Sequence, residues 1–491
     1  MSEMAAPAAV LALSLDRSSA TPLAVQLYQQ LRELILAARL PAGARLPSSR
    51  ALTAELGVSR TTVVEAFEQL RSEGYVEGRH GSGTYVSAEL PETLLTTRAA
   101  APRPRTAEVP ALSSLARGLA AVYPRSNEAR AFNPGLPEIG LIPFEFWSRA
   151  MARAWRRPTA ALLSERAPGG HPALRRAIAG HLGSMRGIVC APEQVVVTSS
   201  AREAVTLAAR TLLEPGDEVW VEDPGYPAAR QALAAIGLVP RGLPIGTEGL
   251  SLEAGLARAP TARMAVVTPS RQYPLGTTMT LARRLALLAW AREKRAWIVE
   301  DDYDSEYRYA GRPLAALQSL DEAGRVLYLG SFSKVLFPKL RLGYLVLPPG
   351  LTAPLLAVRE ELGAEPAVVA QPVLAEFIES GEFAVHIRRM RRLYAERQSA
   401  LLAALRRHAD GLLTATRQDG GMHLVAGLSP ALCLDDRAIE ARARQAGIAA
   451  PALSAFYRGA PPRQGLLLGY AAAPPAELDA AMARLSALLK S

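Results

Sequence analysis

Apolar residues recur at helical spacing once the chain passes Thr21-Pro22: Leu23, Leu27, Leu31, Leu34 and Ile35 share one face. That face predicts a helix, closed by Pro41 and Gly43. A shorter helix follows, capped by Ser48 or Ser49 and stopped at Gly57. A third begins at Ser59, turns Val63, Phe67 and Leu70 inward and ends at Gly74. The period then shortens to two. Tyr75-Val76-Glu77 and Thr84-Tyr85-Val86 flank a glycine-rich turn over 78–83, which predicts a two-stranded wing. Residues 1–14 carry no such pattern and are expected to be mobile.

Residues 88–130 lose periodicity and hold Pro91, Pro102, Pro104 and Pro110, so they read as a tether with a short helix over 111–121. From Phe132 onward the composition becomes globular. Strand candidates at 195–198, 219–221, 264–268, 297–301, 326–330 and 342–347 alternate with helical stretches. That rhythm predicts a mostly parallel sheet with helices on both faces. The expected organisation is a helical domain with a small β wing over 15–87, a linker over 88–130 and an α/β domain over 131–491.

The chain of 491 residues suits two or three domains. It has no apolar run long enough to span a membrane and no leader pattern at its start, so a soluble cytoplasmic protein is expected. Cys190 and Cys433 are too isolated for a disulfide framework, and the six histidines show no ligand spacing, so no metal site is expected. The net charge of +10 is compatible with nucleic-acid binding. The charge is misplaced for that purpose, however, because residues 1–87 hold eight arginines against eight acidic residues. Any DNA contact there depends on a few well-placed side chains rather than a bulk field.

Those side chains can be named. Leu56-Gly57-Val58 forms the turn of a helix-turn-helix, with Ser59 capping the next helix. Arg60, Thr61 and Thr62 stand at the start of that helix, where they can reach base edges, beside free backbone N–H groups suited to phosphate. Arg50 opens the preceding helix, and Arg79 and His80 cap the wing, in reach of a minor groove.

The second group of residues lies at the ends of predicted strands, where open α/β sheets bind ligands. Lys334 follows the strand over 326–330, with the Ser331 and Ser333 hydroxyls beside it and Arg341 beyond. Asp301 ends the apolar strand begun by Trp297, and Tyr303 follows two residues later. Tyr226 sits in Asp223-Pro224-Gly225-Tyr226-Pro227, and Ser200-Ala201 opens a helix. A pyridoxal phosphate cofactor needs this assortment. Lys334 would form a Schiff base and Asp301 would hold the pyridine nitrogen protonated. The Tyr303 phenol would meet the ring oxygen, and Tyr226 would stack. Arg341, the two hydroxyls and the helix start at Ser200 and Ala201 would bind phosphate.

Residues 21–87 closely resemble the GntR-type winged helix-turn-helix through Leu46-Pro47-Ser48, Leu56-Gly57-Val58-Ser59-Arg60, Glu73-Gly74-Tyr75 and His80-Gly81. The resemblance implies that Arg50, Arg60, Thr61, Thr62 and His80 contact DNA. Residues 131–491 resemble fold-type I aminotransferases, a pyridoxal-phosphate-dependent transferase fold with a smaller C-terminal subdomain. Phe132-Asn133-Pro134-Gly135, Glu214-Pro215-Gly216-Asp217, Gln272-Tyr273-Pro274 and Ser331-Phe332-Ser333-Lys334 carry that likeness. Together the two parts resemble the MocR subfamily of GntR regulators. The resemblance implies pyridoxal phosphate on Lys334, a head-to-tail homodimer, a double-stranded DNA operator and a small amine or amino-acid effector.

Several positions depart from the pattern. Ser200 replaces a glycine, Glu165 replaces a tyrosine that commonly reaches phosphate across the dimer, and Arg271 replaces a histidine. Leu466-Leu467-Leu468 stands where aminotransferases carry a substrate-binding arginine, with Arg458, Arg463 and Arg271 as possible substitutes. Two alternatives follow: an active aminotransferase with an added DNA-binding domain, and a cofactor-free regulator binding an anionic effector. At most residual transamination is expected.

Overall fold

A computed structural model describes residues 13–79, 83–88, 90, 112–113, 116–117, 131–156, 158, 168–310, 314–459 and 463–490. They divide into two compact units, one within residues 1–111 and one within 112–491. Most of the expected linker and its short helix, the wing tip with His80, and Glu165 lie outside the described residues.

The first unit is a three-helix winged helix. Helix α1 (Leu23–Leu36) buries Leu27, Leu31 and Ile35 on one face. It stops well before the expected breakers Pro41 and Gly43, because Ala38 turns into the left-handed region. Helix α2 (Ser49–Leu56) is capped by Ser48, whose side chain accepts from Ala51 N–H, and closed by Gly57 at φ 62°. Helix α3 (Arg60–Ser72) is capped by Ser59 and buries Val63, Phe67 and Leu70. Strands β1 (Val76–Arg79) and β2 (Gly83–Val86) pair antiparallel as the wing. The stretch before α1 is more ordered than its composition predicts. Leu13 and Leu15 pack on the core, Ser14 N–H donates to Gln30 Oε1, and Arg17 Nη2 donates to the Gly57 carbonyl.

In the second unit, α4 (Phe144–Arg156) and α5 (Pro172–Arg186) precede β3 (Val195–Thr198) and α6 (Ala201–Leu212). Then come β4 (Glu218–Asp223), α7 (Pro227–Ala235), β5 (Val239–Gly246), β6 (Gly249–Leu250), α8 (Leu252–Arg258) and β7 (Met264–Val267). Helix α9 (Leu281–Lys294), β8 (Trp297–Asp302), β9 (Val326–Ser331) and β10 (Gly343–Val346) complete the large sheet. Its order is β3-β10-β9-β8-β7-β4-β5-β6. The strands from β9 to β5 run parallel, whereas β10 is antiparallel to both neighbours and β6 to β5.

Successive strand residues feed opposite layers. Val266, Val299, Leu327 and Leu329 join α6 and α7 on one face, while Val267, Ile298 and Val326 join α8 and α9 on the other. Burial on both faces explains why these strands read as unbroken apolar runs. After α10 (Thr352–Leu362), α11 (Gln371–Glu379) and the long α12 (Glu382–His408), a smaller C-terminal part forms. Strands β11 (Leu413–Thr414), β12 (His423–Leu428) and β13 (Gly465–Gly469) make a three-stranded sheet there, with α13 (Asp436–Gln445) and α14 (Pro475–Lys490).

Candidate functional site

In the winged helix, Arg50, Arg60 and Thr61 are all exposed at helix starts. The cap consumes part of the remaining set. Ser59 Oγ accepts from Thr62 N–H at 3.1 Å and is 2.8 Å from Thr62 Oγ1, so both hydroxyls fix the start of α3. Arg79 pairs with Glu77 at 2.9 Å and lies over the Tyr85 ring, which holds it flat along the wing. Two arginines that pattern alone did not pick out pack over wing glycines. A Cβ on Gly83 would sit 3.2 Å from Arg45 Nε, and one on Gly78 would sit 3.3 Å from Arg71 Nη2. Arg60→Ala is expected to weaken specific DNA binding by about 1–3 kcal/mol, as for a bidentate base contact. Titration against specific and unrelated duplexes checks it; equal loss on both would make Arg60 a phosphate contact.

In the second unit, the C-terminal ends of β4, β7, β8 and β9 open onto a cavity of 380 Å³. Tyr226, Asp301, Tyr303, Ser331, Ser333, Lys334, Arg341, Ser200 and Ala201 all line it, together with Tyr273, Asp304 and Arg202. The neighbouring aspartates at the end of β8 part ways because strand side chains alternate. Asp302 is locked to Arg186 at 2.8 Å and accepts from Tyr328 Oη at 2.6 Å. Asp301 faces the cavity, and its buried Oδ1 has no hydrogen-bond partner. Burial first, then Asp302 and Glu222, push its carboxyl up to about 7. Glu222 stands behind it, accepting from Thr268 N–H and Oγ1.

Lys334 Nζ donates to the Gly135 carbonyl at 3.0 Å. Burial lowers its pKa, with Asp304 and Asp301 opposing, which favours the neutral, nucleophilic amine. The approach of Gly135 is steric in origin: a Cβ there would stand 2.7 Å from Nζ. Gly135→Ala is expected to preserve the fold, because the flexible lysine end can move, yet to displace the amine and cut covalent loading by pyridoxal phosphate. Equal loading of both proteins, measured by absorbance at saturating cofactor, would contradict this.

Tyr226 is 43% exposed at the cavity rim, edge-on to Tyr273, whose ring also meets Tyr303, His423 and Phe456. Ser200 caps α6 by accepting from Glu203 N–H, so the serine in place of glycine serves the helix start. Arg341 lines the cavity and makes no hydrogen bond or ion pair with any described residue. Of the three substitutes for a carboxylate-binding arginine, none is among the described lining residues. Arg458 and Arg463 are exposed. Arg271 is committed to Asp304, Tyr303 and the His423 carbonyl, and it lines a separate 210 Å³ cleft that also touches Asp304. Leu466, Leu467 and Leu468 are fully buried in β13.

The residues fit pyridoxal phosphate. An orphaned buried carboxylate oxygen awaits a cationic N–H, an unpaired guanidinium awaits an anion, and a lysine whose charge burial disfavours lines the same cavity. Fold and cavity together define an aminotransferase-like domain on the same chain as a winged helix. Residues 141–485 match the aminotransferase class I and II family and residues 23–86 match the bacterial regulatory proteins of the gntR family.

The chain is 45% identical to the probable rhizopine catabolism regulatory protein MocR of Rhizobium meliloti, over 94% of this chain and 93% of that one. It is 34% identical to the pyridoxine biosynthesis transcriptional regulator PdxR of Corynebacterium glutamicum, over 94% of each. Among solved structures, the α-aminoadipate aminotransferase LysN of Thermus thermophilus aligns with a TM-score of 0.67 and 30% identity, covering 77% of this chain and 95% of that one. That structure holds a phosphopyridoxyl-leucine adduct. The chain belongs to the MocR-type GntR-family transcriptional regulators, which join a helix-turn-helix to an aminotransferase-like domain of a pyridoxal-phosphate-dependent family. Among the described residues, no helix is long and apolar enough to cross a membrane.

Proposed function

We propose that this regulator carries pyridoxal phosphate on Lys334 and that a small amine or amino acid, arriving at that lysine, changes how its winged helices engage an operator. The observation that carries the reading is the unpartnered Asp301 carboxylate facing Lys334 and Arg341 across one cavity. When bound, the cofactor supplies an aldehyde for amines and a ring that withdraws electrons. The chain's own residues do the rest. Lys334 offers the amine, Asp301 holds a proton at the ring nitrogen, and Tyr226 and Tyr273 wall the ring from water. Arg341, Ser331, Ser333 and the N–H groups of Ala201 and Arg202 bind the phosphate. In the winged helix, Arg50, Arg60 and Thr61 touch DNA, with Ser59 and Thr62 holding the helix start and Arg79 and His80 on the wing.

The regulator acts in the cytoplasm as a head-to-tail homodimer, and residues 88–130 serve as the linker between domains over 15–87 and 131–491. Arg202, Lys334 and Arg341 are the cationic side chains among the described residues lining the cavity. Phosphate takes up that charge, and the buried leucines of β13 offer none. Regulation therefore fits better than rapid transamination. The test is operator affinity measured without cofactor, with pyridoxal phosphate, and with added 4-aminobutyrate, taurine or amino acids. Affinity or footprint should change with cofactor and with at least one amine, as allostery requires. An unchanged affinity and footprint throughout, or multiple-turnover conversion of an amino acid to its keto acid, would overturn the reading.

A further inference from the structure

Arg271 sits in the segment after β7, 9% exposed, with its hydrogen bonds directed at fixed acceptors. Nη1 donates to Tyr303 Oη at 3.1 Å and to Asp304 Oδ2 at 3.2 Å, and Nη2 donates to the His423 carbonyl at 2.8 Å. Gly421, at φ 92°, lies directly against the guanidinium, where a side chain would collide with it. This arginine is therefore held in one place rather than free to follow a ligand.

Its effect falls on Tyr303. A guanidinium has five donors and no acceptor, so the contact can run in one direction only. The phenol oxygen accepts, and the phenolic proton must point elsewhere. No described residue accepts it, and Tyr303 lines the cavity beside Lys334. Burial, reinforced by Asp304, holds the phenol protonated far above the ordinary tyrosine range. With Arg271 Nη1 donating to its oxygen, the phenol has its own proton to offer toward the cavity.

We infer that Arg271 is a positioning residue: it fixes the Tyr303 hydroxyl as a donor to an oxygen of the ligand held at Lys334, and it lowers the proton affinity of that ligand's link to the lysine. The inference rests on the proposal that Lys334 carries pyridoxal phosphate. The charged and titratable groups around it belong to several elements. Asp304 follows β8, and Asp301 and Lys334 lie across the cavity. Tyr273 comes from the same segment as Arg271, Tyr470 from the end of β13, and His423 from β12. The His423 ring, bonded to the Pro274 carbonyl, is kept neutral by burial and by Arg271 itself. Asp301 and Asp304 favour a protonated link, whereas Arg271 and the Tyr303 donor favour the unprotonated, more anionic one.

The experiment is a pH titration of the visible absorbance band of the full-length protein loaded with pyridoxal phosphate. Arg271→Gln should raise its midpoint by about one pH unit. Tyr303→Phe should raise it as well. The double variant should shift no further than the larger single change, because one substitution already breaks the path that the other uses. If Arg271→Gln does not fold, Arg271→Lys keeps a partner for Asp304 but has one nitrogen to share among three acceptors, and its midpoint should fall between wild type and Tyr303→Phe. An unchanged midpoint in a loaded Arg271 variant, or additive shifts, would overturn the inference alone. A wild-type protein with no visible band would instead refute the assignment of Lys334, and the inference with it.

Discussion

Lys334→Ala is expected to give a folded protein that stays colourless with pyridoxal phosphate and whose DNA binding no longer responds to cofactor or amine. Lys334 is the lysine among the described residues lining the cavity. Its amine makes one hydrogen bond, to the Gly135 carbonyl, so the folding cost of removal is about 1 kcal/mol or less. Burial already disfavours its charge. Absorbance, thermal melting and operator titration of the variant read the three parts separately. An undiminished visible band would show that another amine carries the cofactor. A collapsed fold would show that the lysine is structural.

Asp301→Asn is expected to act in opposite directions on stability and on binding. Its carboxyl titrates near 3.8 when unfolded and is pushed up to about 7 by burial in the fold. Between those values the folded chain keeps a proton that the unfolded chain has released. Stability of the cofactor-free protein therefore falls as pH rises through that window, and the loss is complete above about 7. Asparagine has no charge to bury. The variant without cofactor should be about 1–3 kcal/mol more stable than wild type near pH 8, the range for an unpaired buried polar group. The difference should vanish at about pH 4, near the carboxyl's ordinary value. Cofactor affinity should fall at least about tenfold, or about 1.4 kcal/mol, through loss of a charge-assisted bond. Urea unfolding at the two pH values and pyridoxal phosphate titration check both halves. A variant that is less stable and binds the cofactor as well as wild type would contradict the role of Asp301.

Much of this arrangement was legible in the sequence because local chemistry and global fold agree. The caps Ser48 and Ser59, the closing Gly57 and the inward Val63, Phe67 and Leu70 are short-range signals, and they delimit α2 and α3 in the structure. Eight of the nine residues named for the cofactor meet at one cavity because they stand at or just past the end of a strand or at the start of a helix, and Arg341 joins them from the turn that leads into β10. What stayed hidden depended on distant partners. Strand β5 carries Pro240, Gly242 and Pro244 near the sheet edge, where a missing N–H is tolerated, so its sequence does not look like a strand. Antiparallel β10 is as fully buried as the parallel strands of the sheet, so its direction cannot be read from its residues. Asp301 and Asp302 are chemically identical, and only the pleat decides that one meets Arg186 and the other the cavity. Arg271 reads as a free cation until Asp304, Tyr303 and the His423 carbonyl, the last 152 residues away, are seen around it. The order before α1 likewise depends on Gln30 and Gly57, through contacts that no periodicity records.

The most direct test of the central claim is borohydride reduction of the full-length protein after incubation with pyridoxal phosphate, followed by peptide mass mapping. The account predicts a visible band that collapses on reduction and a single pyridoxyl label, on the peptide containing Lys334. A protein that remains colourless and unlabelled, or a label on Lys294, Lys339 or Lys490 in place of Lys334, would contradict it.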